Sequence, residues 1–114
     1  MTTTAGSMLS CTVEGAVATL LINHPPANTL TPELLAELST TFDQVAKDEA
    51  VKVVVLTGTG RFFIAGADIR VLASIASSKE GEAMALQGQA ILDRIEGVGK
   101  PVIAAINGIC LGGG

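Results

Sequence analysis

Two glycine-containing loops hold the residues most able to do chemistry. The first, Gly58-Thr59-Gly60-Arg61-Phe62-Phe63-Ile64-Ala65-Gly66-Ala67-Asp68, follows the apolar run Val53-Val54-Val55-Leu56. The second, Asn107-Gly108-Ile109-Cys110-Leu111-Gly112-Gly113-Gly114, follows Val102-Ile103-Ala104-Ala105-Ile106. Both put small residues where a chain leaving a strand would enter a helix. Small side chains leave backbone N–H groups accessible there, and a helix dipole adds positive potential. Two such groups aimed at one point would form an oxyanion hole, a site that stabilises charge developing on a carbonyl oxygen. Taken singly, each loop has a plainer reading: an Ala-Gly-Ala turn commonly serves tight helix packing, and a glycine triplet can be a tail. Neither is a phosphate loop, because no Gly-Lys-Ser/Thr is present and the glycines lack the GxGxxG spacing. Their pairing on successive strands points to a shared site.

The other reactive side chains fit structural roles. His24, the sole histidine, sits beside Pro25 and Pro26 and reads as a loop residue. Cys110 has no base near it in sequence, so a packed thiol is expected rather than a nucleophile. Cys11 and Cys110 are far apart and form no CxxC, which favours a reduced chain over a disulfide. Glu33, Asp43, Asp48, Glu80 and Glu82 read as helix-surface or cap charges. Asp68 reads as a helix N-cap that fixes the turn at Ala67. The sequence clusters no His, Cys, Asp and Glu at metal-ligand spacing.

The elements that must position these loops follow from periodicity. Residues 10–13 and 16–22 predict a hairpin around Glu14-Gly15, and Asn23-His24-Pro25-Pro26-Ala27-Asn28 a breaker-rich loop. Thr31-Pro32-Glu33 signals a helix start, with Leu35, Leu38, Phe42 and Val45 forming its apolar face. Val53-Val54-Val55-Leu56 is apolar on both faces, as a buried parallel strand would be, and residues 57–64 read as a loop. Asp68 opens a short helix to about residue 75. A longer helix spans about 79–96, with Met84, Gly88, Ile91 and Ile95 on one stripe, before the strand 102–106. The order ββ-α-β-α-α-β predicts an α/β fold with a parallel sheet and right-handed crossovers. Ligands in such sheets bind beyond the carboxyl ends of the strands, where both loops lie. Residues 1–8 read as a flexible tail and 9–114 as one domain part, with a helix and more protein expected after Gly114.

Composition narrows the function classes. The 114 residues suit one domain, and 7 basic against 11 acidic residues give a net charge of −4, which argues against nucleic-acid binding. With 48% hydrophobic and 3% aromatic residues, the core must be aliphatic and stacking platforms for bases or sugars are nearly absent. No secretory signal precedes the first strand and no apolar run is long enough to span a bilayer, so a soluble, cytoplasmic protein without membrane contact is expected.

Three motifs resemble the crotonase (enoyl-CoA hydratase/isomerase) superfamily: residues 61–70, Lys100 through Gly114, and the early loop 23–30 with Pro25-Pro26-Ala27-Asn28. The likeness runs from about Met8 to the last residue and is greatest to bacterial enoyl-CoA hydratases. It implies a crotonase-like spiral of ββα units, truncated after the oxyanion-hole glycines. It also implies acyl-CoA binding with the thioester oxygen held by the N–H groups of Ala67 and Gly113. By the same resemblance Ala65, Gly66, Asp68 and Ile69 line the CoA and pantetheine path, with the backbone around Ala65 meeting the adenine. Pro26 and Ala27 form the opposite wall. Arg70, and more weakly Arg61, could face the CoA phosphates, although an ordinary solvated charge is an equal alternative. Family hydratases use two glutamates beyond the glycine triplet, so the oxyanion half of the machinery is present here and the acid/base half is not. The intact protein is expected to be an enoyl-CoA hydratase of fatty-acid oxidation, a homotrimer or hexamer. It would need no cofactor, since coenzyme A is part of the substrate. The 114-residue chain alone is expected to be inactive. The alternatives are an enoyl-CoA isomerase, another crotonase-type lyase, a non-catalytic CoA-binding fragment, or an unrelated nucleotide-binding domain.

Overall fold

A computed structural model describes residues 2–6 and 8–114. The strands are β1 (Thr2–Ala5), β2 (Leu9–Glu14), β3 (Val17–Ile22), β4 (Val53–Gly58), β5 (Phe62–Ile64), β6 (Val102–Ala105) and β7 (Ile109–Cys110). The helices are α1 (Pro32–Lys47), α2 (Ile69–Ala73) and α3 (Ser78–Glu96). Strands β1-β2-β3-β4-β6 form one mixed sheet, and β5-β7 a second, small parallel one. The first two pairings are antiparallel, while β3 with β4 and β4 with β6 run parallel across helical crossovers.

Helix α1 starts where the sequence places it. Thr31 is extended, its hydroxyl accepts from the Leu34 N–H, and Pro32 occupies the first turn. Leu34, Leu38, Phe42 and Val45 are its buried residues. Leu34 thus replaces the expected Leu35, which is half-buried on the side lining the α3 groove. The core is aliphatic apart from phenylalanine, with Leu20, Ile22, Leu34, Leu38, Phe42, Val51 and Val54 sealed between sheet and helix. Every buried apolar residue among those described lies between Leu9 and Ile64.

Three expectations are corrected. Thr2–Ala5, read as part of a tail, pairs with β2 in register Thr2 to Val13 through Ala5 to Ser10. Met1 and Ser7 of that expected tail lie outside the described residues. Strand β4 alternates, with Val54 and Leu56 buried but Val53 and Val55 only half-buried, because α1 covers one face of the sheet. The stretch 57–64 contains the end of β4 and the whole of β5. The stripe on α3 holds: Met84, Gly88, Ile91 and Ile95 are half-buried, joined by Gly81 one turn earlier, and α3 packs on α1. Arg94 reinforces that contact by donating to the Ser39 hydroxyl at 2.6 Å and facing Asp43 at 3.6 Å. No helix among the described residues is long and apolar enough to cross a membrane.

Candidate active site

The two glycine-rich loops meet beside Leu30. The Leu30 N–H donates to the Gly66 carbonyl at 2.8 Å and the Asp68 N–H to the Leu30 carbonyl at 3.1 Å, bridging Leu30 to Ala67. This short ladder passes over the Ala67 N–H, which bonds no acceptor among the described residues. From the other loop, Leu111 N–H donates to the Ile64 carbonyl at 3.0 Å, and Gly114 N–H closes a turn on the Leu111 carbonyl at 2.9 Å. Gly113 lies inside that turn, and its N–H is likewise without an acceptor among the described residues. A Cβ on Gly113 would lie 2.8 Å from Leu30 Cδ1, so Leu30 touches both candidate positions.

Glycine is required at this crossing. Gly66 has φ +94°, and a Cβ there would stand 3.3 Å from the Leu111 carbonyl oxygen and 3.8 Å from the Gly112 Cα. Any side chain would push the loops apart and would itself be strained.

Two asparagines hold the loops in place. Asn28, with φ 53° and 2% exposure, accepts from the His24 N–H at 2.8 Å. Its amide donates to the Phe62 and Phe63 carbonyls, each at 3.1 Å. The loop carrying Pro26 and Ala27 is thereby tied to β5. Asn107 accepts from the Gly58 N–H at 3.0 Å and donates to the carbonyls of Gly60 and Phe62, both at 3.1 Å. Sequence reasoning gave neither side chain this role, because the carbonyls their amides hold are more than thirty residues away. The signal available was position alone: each asparagine stands where a strand or loop turns toward the site.

Asp68 is the buried carboxylate of the region, at 5% exposure. As expected it caps α2, accepting from the Arg70 N–H at 2.8 Å. The Thr29 hydroxyl donates to Oδ2 at 3.2 Å, and the Arg70 guanidinium donates through Nη2 to Oδ2 at 3.0 Å and through Nε to Oδ1 at 3.3 Å. The Arg70 side-chain hydrogen bonds, opposed by desolvation and helped by its backbone N–H, its charge and Thr29, hold the carboxyl down at about 2. Arg70 is thus folded back on the cap of its own helix while its side chain stays 88% exposed. Ile69 points outward at 81% exposure, Pro26 is exposed, and Ala27 and Ala65 are half-buried. His24 is a loop residue, its Nδ1 2.9 Å from the Thr29 carbonyl oxygen, and both cysteines are free.

An apolar cavity of about 220 Å³ opens against Ala67, lined also by Leu30, Val71, Ile75, Gly81 and Met84. The larger groove of about 470 Å³ between α1 and α3 contains none of the predicted site residues. An N–H without an acceptor beside an apolar cavity suits a ligand with one polar oxygen and an apolar tail.

Known proteins share this fold. An enoyl-CoA hydratase structure from Bacillus anthracis superposes with TM-score 0.88 at 33% identity, covering 95% of this chain and 43% of that one. The fold is that of the crotonase group. The sequence matches the Enoyl-CoA hydratase/isomerase family over residues 12–114, and the chain belongs to that family. A Bacillus subtilis (strain 168) protein named "Probable enoyl-CoA hydratase" is 44% identical over 93% of this chain and 41% of its own length. The "Fatty acid oxidation complex subunit alpha" of Idiomarina loihiensis is 41% identical over 87% of this chain and 14% of its own length. The chain therefore spans about two fifths, or less, of the length of the curated relatives it matches.

Proposed function

We propose that this chain binds an acyl-CoA thioester and holds its carbonyl oxygen between the backbone N–H groups of Ala67 and Gly113. The observation that carries this reading is the seating of both residues against Leu30, with the apolar cavity opening at Ala67. As a proton leaves or water adds beside the thioester, negative charge moves onto that oxygen. Each amide held in place for that oxygen would contribute about 3 kcal/mol to the transition state, because fixed dipoles need not reorganise as the charge develops. Main-chain donors need only a side chain that does not block approach, which Ala67 and Gly113 satisfy. Asp68 fixes the turn that carries the Ala67 amide, while Ala65, Gly66, Ile69, Pro26 and Ala27 border the CoA path. Arg70 would meet the CoA phosphates only by exchanging Asp68 for them.

In a protein of the relatives' length, we expect hydration of 2-enoyl-CoA in fatty-acid oxidation, in line with the relatives' names, and a homotrimeric or hexameric assembly. Asp68, the acid of this region, is committed to its cap, so the acid/base carboxylates are expected from other segments. Coenzyme A enters as part of the substrate and no separate cofactor is needed. Isothermal titration of this chain with acetoacetyl-CoA, CoA and ATP tests the reading. Acetoacetyl-CoA is expected to bind at least about tenfold tighter than CoA, the equivalent of ~1.4 kcal/mol for an engaged carbonyl. Equal affinity for the two, or preference for ATP, refutes it. Hydration of 2-butenoyl-CoA by the 114-residue chain alone would refute the division between oxyanion and acid/base parts.

A further inference from the structure

The cavity beside Ala67 has a floor whose side chains determine what fits. Helix α3 supplies Gly81 and Met84, one turn apart on the same face. A glycine inside a helix weakens it relative to alanine, and Gly81 has no left-handed φ to justify it. Its N–H makes an ordinary helical bond to the Ser77 carbonyl at 3.0 Å. A Cβ there would only touch Ile75 Cγ2, at 3.4 Å, across the cavity edge. Packing would therefore admit a methyl group, and its absence leaves cavity space. Met84 borders both this cavity and the 470 Å³ groove between α1 and α3, and with Pro32 and Leu35, which also line both, it forms the partition between them.

We propose, resting on the acyl-thioester reading above, that Gly81 and Met84 set the acyl length this site accepts. The cavity holds about 220 Å³. At about 30 Å³ for each water-sized group, it takes roughly seven carbons of tail beyond the thioester. A longer tail would meet Met84 before reaching the groove.

Titration of the chain with straight-chain acyl-CoAs from acetyl to palmitoyl, each compared with CoA, tests this. Affinity is expected to rise about fourfold per methylene until the cavity is full, then to level off near seven tail carbons. Gly81→Leu is expected to move the break several carbons shorter without changing affinity for CoA, and Met84→Ala to move it longer by opening the groove. Gly81→Ala is expected to raise the melting temperature while shortening the break by about one carbon, an opposition that a purely structural glycine would not produce. It also carries the test if Gly81→Leu fails to fold. A break that ignores both positions in folded variants overturns this inference alone. Failure of every acyl-CoA to bind better than CoA overturns the acyl-thioester reading and this inference with it.

Discussion

Replacing Asn28 by alanine should cost more than its small size suggests, and the cost can be located atom by atom. The amide reaches the buried Phe63 carbonyl, the Phe62 carbonyl and, as acceptor, the His24 N–H. Phe62 is protected, because the Asn107 amide also donates to its carbonyl at 3.1 Å. The loss therefore concentrates on the Phe63 oxygen, which cannot easily find water, and on His24. A stranded buried acceptor costs about 1–3 kcal/mol and the partly buried bond about 1 kcal/mol. Asn28 also sits at φ 53°, where alanine is penalised by about 1 kcal/mol more than asparagine. Together these give about 3–5 kcal/mol, a large share of the roughly 5–15 kcal/mol that holds a domain of this size. Urea unfolding followed by circular dichroism should show a lower midpoint at unchanged slope. Asn28→Gly, which removes the φ penalty, should recover about 1 kcal/mol. The double variant Asn28→Ala/Asn107→Ala should lose more than both singles combined, because only then is the Phe62 oxygen stranded. A loss under about 1 kcal/mol for Asn28→Ala, or strict additivity in the double variant, would refute the clamp.

Two further perturbations follow from other parts of the structure. The Asp68 carboxyl lies at about 2 against its ordinary 3.8, so between those values the unfolded chain binds the extra proton and stability falls with acid. Acid unfolding should show an advantage of the natural chain over Asp68→Asn above about pH 4 that disappears near pH 2. A pH-independent difference would assign the effect to packing rather than charge. Lys100 Nζ donates to the Val45 and Asp48 carbonyls at 2.5 and 2.7 Å, closing the C-terminal end of α1. Lys100→Met keeps the alkyl stem and should lower stability by about 1 kcal/mol, several degrees in a thermal melt. An unchanged melting temperature would mean that water serves those carbonyls equally well.

Local signals carried most of the fold. Thr31-Pro32 specified the start of α1 because capping chemistry acts within one turn, and the α3 stripe was legible because 3.6-residue spacing survives any packing partner. Leu34 and Leu35 could not be separated, since both lie on the apolar side and only the partner decides which is covered. Thr2–Ala5 escaped notice because it has no apolar alternation, and an edge strand needs none on its open side. Strands β5 and β7 are three and two residues long, too short for a period, and each exists because the other lies beside it. In the candidate site, the loops were legible through their small residues. The asparagine clamps were not, because amide-to-carbonyl bonds over such separations leave no pattern in sequence.

That every buried apolar side chain among the described residues lies between Leu9 and Ile64 bears on the order in which the chain acquires its shape during synthesis. By the time residue 64 has left the ribosome, α1 can already settle on β2, β3 and β4, as N-terminal units tend to do. Until Val102 emerges, the free side of β4 has no strand to pair with. Nascent chains paused in that interval expose an adhesive margin, and they are the ones a chaperone would hold.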